Sequence, residues 1–202
     1  MNSIKFELWL EERFKTLDKR DASFANEYKW KMFLPENYAV IRDHMNANGI
    51  TPDVVDIGCG AGFGSEFFLD GKYIGIDSEP PHIGIKKYAK SLGDTFFNQE
   101  KDNVTYTIDT FPNSNIAKML RKKTVISSMC LGVHGELFSG NWRNIFNDYC
   151  RCLERAKHIY ICAPMKLTKY INDYFGGSEN IGMHVEKYPE WEAHCPIIHT
   201  EL

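Results

Sequence analysis

From residue 53 onward, short apolar runs alternate with amphipathic stretches, and this alternation leaves the chain few folds to choose from. Strand-like runs are Asp53-Val-Val-Asp-Ile57, Lys72-Tyr-Ile-Gly-Ile76, Val104-Thr-Tyr-Thr-Ile108, Thr124-Val-Ile-Ser-Ser128 and His158-Ile-Tyr-Ile-Cys162, rich in the β-branched and aromatic residues that suit a pleated surface. Helices are expected between them, from Ala61 to about Leu69, Pro81 to about Leu92, Ile116 to Arg121 and Asn141 to Glu154. In the last of these, Trp142, Ile145, Phe146, Tyr149 and Leu153 recur along one helical face. Pro80 and Pro81 suit a helix start and Gly93 a stop. Strands joined by helical crossovers imply a mainly parallel sheet, covered on both faces. After Pro164 a helix from Leu167 to Phe175 is expected to stop at Gly176-Gly177. Two β-like runs, Gly182 to Tyr188 and Pro196 to Thr200, then predict an antiparallel pair at one sheet edge. The expected class is α/β, doubly wound.

The first fifty residues follow another pattern. Ile4, Leu8, Leu10, Phe14 and Leu17 predict an amphipathic helix, and Tyr38 to Met45 a second. The intervening stretch, 18–33, is aromatic and charged, with Tyr28, Trp30 and Phe33 suited either to helix packing or to a lid over a ligand. A chain of 202 residues without an internal repeat is read as one domain, with residues 1–50 as a helical extension. The net charge of −3 argues against a surface built to neutralise many phosphates. No apolar run approaches the roughly 18 residues that span a bilayer, and the N-terminus lacks the pattern of a signal peptide. Of the six cysteines, the close pair is Cys150 and Cys152, which is not a zinc spacing. Free thiols are expected, and with them a cytoplasmic setting. His184, His194 and His199, scattered around Cys195, show no metal spacing, so surface or edge-strand roles and no metal are expected.

The segment that carries chemistry is Val54-Val-Asp-Ile-Gly-Cys-Gly-Ala-Gly-Phe-Gly-Ser65. Gly58, Gly60 and Gly62 fall at alternate positions after a strand, where missing side chains let backbone approach a ligand. Asp56 precedes the first glycine, and Asp77 follows the second strand, roughly twenty residues past the loop's start, where an acid can bind a ribose diol. A dinucleotide fingerprint, G-x-G-x-x-G, fails here: counted from Gly58 its third glycine falls on Phe63, and counted from Gly60 on Ser65. A carboxylate at Asp56 also suits an ammonium better than a pyrophosphate. S-adenosylmethionine carries an ammonium and a sulfonium and no phosphate, so the sign of the charge favours that methyl donor.

On these residues the chain resembles the seven-stranded, Rossmann-like (class I) S-adenosylmethionine-dependent methyltransferases. Val55-Asp-Ile-Gly-Cys-Gly-Ala-Gly62 and Tyr73-Ile-Gly-Ile-Asp77 are similar to the first two signature motifs, and the layout matches over about residues 37 to 200. One departure is Glu154-Arg-Ala-Lys157, where many relatives have a Pro-Gly-Gly turn. The resemblance implies S-adenosylmethionine as cofactor. It implies that Asp56 faces the donor's amino group, that Gly58, Gly60 and Gly62 line its methionine and ribose, and that Asp77, beside Ser78, binds the ribose hydroxyls. It further implies that Asp109, beside Thr110, meets the adenine amino group, and that Ser128 and Met129 lie near the sulfonium and acceptor. A turn cap ahead of Pro112 is the other role open to Asp109.

Methyl transfer to an acceptor that must lose a proton needs a base. His134, in the loop Cys130-Leu-Gly-Val-His-Gly-Glu136, is the candidate by position, with simple packing as the alternative. Amino-methylating DNA enzymes have an Asn/Asp-Pro-Pro-aromatic run where this chain has Ser127-Ser-Met-Cys130, and Cys130 lacks the preceding proline of a cytosine-C5 nucleophile. A small-molecule acceptor is therefore expected ahead of RNA or protein. A catalytically silent, donor-binding partner subunit is the rival reading.

Overall fold

The computed structural model describes residues 35–60, 62–78, 101–128, 142–187 and 192–202. The sheet orders its seven strands β3-β2-β1-β4-β5-β7-β6. These are β1 (Val54–Ile57), β2 (Tyr73–Asp77), β3 (Val104–Ile108), β4 (Thr124–Ser128), β5 (His158–Cys162), β6 (Glu179–Lys187) and β7 (Glu192–Glu201). The first five are parallel, with Val54 opposite both Tyr73 and Thr124. β7 runs antiparallel to β5 and to β6. The expected Rossmann-like sheet with a C-terminal antiparallel pair is present. Its strand order reverses between β1 and β4, the switch point where ligands of such sheets bind.

Burial explains why β1 lies centrally. All four residues of Val-Val-Asp-Ile are buried, and the alternation of strand side chains sends them to two cores. On one face Val54 packs with Tyr73, Ile126, Tyr160, Phe67 and Phe68 beneath α1 (Pro35–Ala47), which contributes Tyr38, Ile41 and Met45. On the other, Val55 and Ile57 join Ile76, Val125 and Ile159 beneath α2 (Ser114–Met119), α3 (Trp142–Leu153) and α4 (Met165–Phe175). In α3 the buried set Phe146, Tyr149, Cys150 and Leu153 has the spacing of one helical face, and each such side chain adds roughly 1.5–3 kcal/mol of burial.

The expected helix from Ala61 to Leu69 is instead a single 3-10 turn, Phe63–Phe67. Gly62 enters it in the left-handed region (φ 75°), and Gly64 lacks a Cβ where one would meet the Tyr38 ring at 2.7 Å and Asp56 Oδ2 at 2.8 Å. Two glycines this close disfavour an α-helix, and Gly64 is reserved for packing. The strand pair is longer than expected on both sides. The expected helices at 4–17 and 81–92 and the aromatic stretch 18–33 lie outside the described residues. Among those described, no helix is long and apolar enough to cross a membrane, and Cys150 and Cys152 are free thiols.

Candidate functional site

The glycine loop leaves β1 at its carboxyl end and is pinned to β2. Gly58 and Cys59 donate backbone bonds to the Ile76 carbonyl (2.8 and 3.2 Å), and Gly62 N–H bonds the Cys59 carbonyl (2.8 Å). The Gly60 amide donates to Asp77 Oδ2 at 2.8 Å, so the carboxylate closing β2 holds the loop over the strand ends. Gly60 has φ 54°, and among the described residues nothing lies within 4 Å of where its Cβ would stand. The missing side chain lets backbone approach a ligand there. Gly62 differs: a Cβ on it would lie 2.5 Å from the Tyr106 hydroxyl, which donates to the Gly62 carbonyl (3.2 Å). The expected cofactor glycine at 62 is a packing glycine on that side, because Tyr106 of β3 occupies the volume its side chain would need.

Asp56 ends up under the loop. It is fully buried, and Oδ2 accepts from the hydroxyls of Tyr38 (2.8 Å) and Tyr73 (2.6 Å). Oδ1 is buried and has no hydrogen-bond partner among the described residues. Burial pushes the carboxyl up to about 7; the Tyr73 and Tyr38 hydrogen bonds pull it down, and nearby Asp77 raises it further. Burial, reinforced by the Asp56 charge, also raises the Tyr38 and Tyr73 phenols well above their usual range.

Asp77 and Asp109 close neighbouring strands, joined by a backbone bond from Asp109 N–H to the Asp77 carbonyl (2.9 Å). Ser78 is exposed, with its hydroxyl 3.4 Å from Asp77 Oδ1. Asp109 Oδ1 accepts from Thr110 N–H (2.8 Å) and Asn113 Nδ2 (2.9 Å). Asn113 in turn caps α2 by accepting from the amides of Asn115 (2.9 Å) and Ile116 (3.0 Å). The turn-holding role of Asp109 is therefore real, and it uses one carboxylate oxygen.

Across the switch point, Ser128 is buried at the end of β4 and its hydroxyl accepts from Asn37 Nδ2 (3.1 Å), which also lies 3.3 Å from Cys162 Sγ. Asn37 Oδ1 is buried without a partner among the described residues. The strand ends thus bring together Asp56, Gly58, Gly60, Asp77, Ser78, Asp109 and Thr110, with Ser128 across the switch point. Met129 and His134 lie outside the described residues. Asn37, Tyr38 and Tyr106 escape a reading of the sequence, and Tyr73 opens the second motif without any sign there of its bond to Asp56. The helical periodicity identifies Tyr38 as a buried face without disclosing its own bond to Asp56.

One histidine departs from its expected surface role. β7 lies between β5 and β6, and His199 is buried there, with Nδ1 2.7 Å from Glu179 Oε1. Its ring stacks on Tyr160 and lies near His44 of α1, at centroid distances of 4.7 Å each.

No protein-family profile and no curated protein matches this sequence. Solved structures do match in fold. Magnesium protoporphyrin IX methyltransferase from Synechocystis PCC 6803, with bound SAM, superposes with a TM-score of 0.53 at 14% identity, over 81% of this chain and 78% of that one. The N-terminal domain of EvdMO1, with SAH bound, gives a TM-score of 0.53 at 11% identity over 82% and 80%. The bifunctional kinase-methyltransferase WbdD gives 0.52 at 13% identity, over 84% of this chain and 38% of that longer one. The chain has the class I methyltransferase fold.

Proposed function

We propose that the chain is an S-adenosylmethionine-dependent methyltransferase acting on a small molecule. The observation that carries this reading is the Gly60–Asp77 bond at the switch point, which sets an open glycine backbone beside a strand-end carboxylate. Two neighbours of the same fold hold the donor or its demethylated product at the identities given above. Charge supports the same choice. Asp56, Asp77 and Asp109 would repel a pyrophosphate, whereas an ammonium and a sulfonium are attracted. The buried, unpartnered Oδ1 of Asp56 fits an ammonium, taken directly or through water.

In this reading Asp77 takes the ribose hydroxyls while Gly60 N–H keeps its carboxylate oriented. Asp109 offers Oδ2 to the adenine amino group, and Gly58 and Gly60 line the donor's length. Ser128 and Met129 border the acceptor side. The donor, when bound, supplies a methyl carbon already activated by positive sulfur, so the protein's work is alignment and exclusion of water. Where the acceptor must shed a proton, His134 takes it. A small acceptor is supported by the balanced charge of the chain and by the absence of the DNA-type run after β4. One neighbour of this fold acts on a porphyrin.

The test is mass spectrometry after incubation with methyl-labelled donor and, separately, the small-molecule, RNA and protein fractions of a cell extract. Label in a small molecule supports the proposal, and label in RNA or protein replaces its acceptor. Cleaved donor without a labelled acceptor would mean other chemistry, and intact bound donor would mean a silent binding subunit.

A further inference from the structure

At the amino end of β5, opposite the glycine loop, a second set of side chains converges. Strand alternation and the register Glu179↔His199 place both residues on the face covered by α1, whose last turn delivers His44 to the same point. Glu179 Oε1 lies 2.7 Å from His199 Nδ1 and 3.1 Å from His44 Nε2, and one ligand atom from each of the three residues falls within 4.8 Å of the others. Ligands of a tetrahedral zinc ion, each about 2.0–2.2 Å from the metal, sit about 3.3 Å from one another. The cluster has that scale.

Two further observations point to an ion rather than to hydrogen bonds alone. The first is the outer ring of partners. His44 Nδ1 is 3.0 Å from the Tyr160 hydroxyl, and His199 Nε2 is 3.3 Å from His158 Nδ1. Each imidazole therefore has its far nitrogen held, the arrangement that fixes a ligating ring in orientation. The second is access. The His199 side chain is 9% exposed and His44 16%, but Glu179 is 57% exposed and lines a cavity of about 480 Å³ shared with His158, His199 and Glu201. An ion there would keep a position open to water.

We propose that His44, Glu179 and His199 form a binding site for a divalent transition-metal ion of the zinc type. Two imidazoles and one carboxylate suit zinc or cobalt, whereas calcium and magnesium demand a shell of oxygens. Because His44 belongs to α1 and the other two to the β6–β7 pair, the ion clamps that helix to the sheet. The site lies away from the proposed donor loop and stands independently of it.

The full-length chain, stripped with chelator, is titrated with Zn²⁺ by calorimetry and with Co²⁺ by visible absorption. One ion per chain is expected, at micromolar affinity or tighter, with the intense bands of low-coordinate cobalt and a rise in melting temperature. Glu179→Gln keeps an acceptor for both rings and should fold in chelator, yet bind Zn²⁺ at least about tenfold more weakly. His199→Asn is the second variant and should lose the cobalt bands. No saturable uptake by the wild-type chain would overturn the site, and so would equal affinity in Glu179→Gln, since the ion would then sit elsewhere, for example on cysteines. Donor affinity in Glu179→Gln stays as in the wild type, which separates failure here from failure of the methyltransferase reading.

Discussion

The two proposed ligand sites, one at each end of this sheet, are built from opposite materials. At the carboxyl ends the working parts are backbone: a loop that turns through left-handed glycines, an amide aimed at a carboxylate, and acids at the strand ends. At the amino end of β5 the parts are side chains on regular strands and one helix, set by pairing register and by alternation. Backbone sites need glycine and therefore leave a motif in the sequence. Side-chain sites need only that distant positions meet, and they leave none. The α1 helix touches both ends, with Asn37 at Ser128 and His44 at Glu179.

The contrast is sharpest in the charge buried beneath the loop, where the largest effect is expected. Asp56 has its carboxyl raised by burial from 3.8 to about 7, a difference on the order of 4 kcal/mol. The folded protein then holds a proton that the unfolded chain releases near pH 4. Stability from this group is fully present below about pH 4 and is lost as pH rises through about 7. Asp56→Asn keeps an oxygen for the Tyr38 and Tyr73 hydroxyls and carries no charge. Denaturant unfolding from pH 5 to 8 should show the wild type, without donor, losing stability relative to this variant. A pH-independent difference between the two would mean that Asp56 titrates normally.

Next in size is His134. Its replacement by Ala should lower turnover by roughly 100-fold while donor affinity stays fixed, and the rise of rate with pH through about 6.5 should vanish. Normal turnover and a normal pH profile would remove the base without touching the donor site. The smallest effects separate two glycines of one loop. Gly62→Ala meets Tyr106 at 2.5 Å in addition to a left-handed backbone, so it should cost about 2–3 kcal/mol of stability. Gly60→Ala meets nothing among the described residues and should cost only about 1 kcal/mol, while weakening donor binding. If Gly60→Ala bound the donor normally, the loop's open face would not be the ligand face.

The same contrast explains what could be read from the sequence. The five parallel strands, the antiparallel pair and the strand-end acids Asp77 and Asp109 were legible, since alternation and glycine spacing are local signals. The 3-10 turn was not, because Gly64 answers to the Tyr38 ring and the Asp56 carboxylate, neighbours that it meets only once the chain has folded. Burial of Asp56 between two tyrosines was hidden for the same reason, as was the meeting of His44, Glu179 and His199 from three separate elements. Gly62 carried the right motif, and the occupant beside it was Tyr106.

The claim on which everything else rests is that the glycine loop and Asp77 hold S-adenosylmethionine, and calorimetry tests it directly. The wild-type chain should bind both the donor and its demethylated product with one site per chain. Asp77→Ala should weaken both by about tenfold or more, because charge-assisted bonds worth roughly 1.5–3 kcal/mol each are lost. No binding to the wild-type chain, or equal affinity in the variant, would contradict the account.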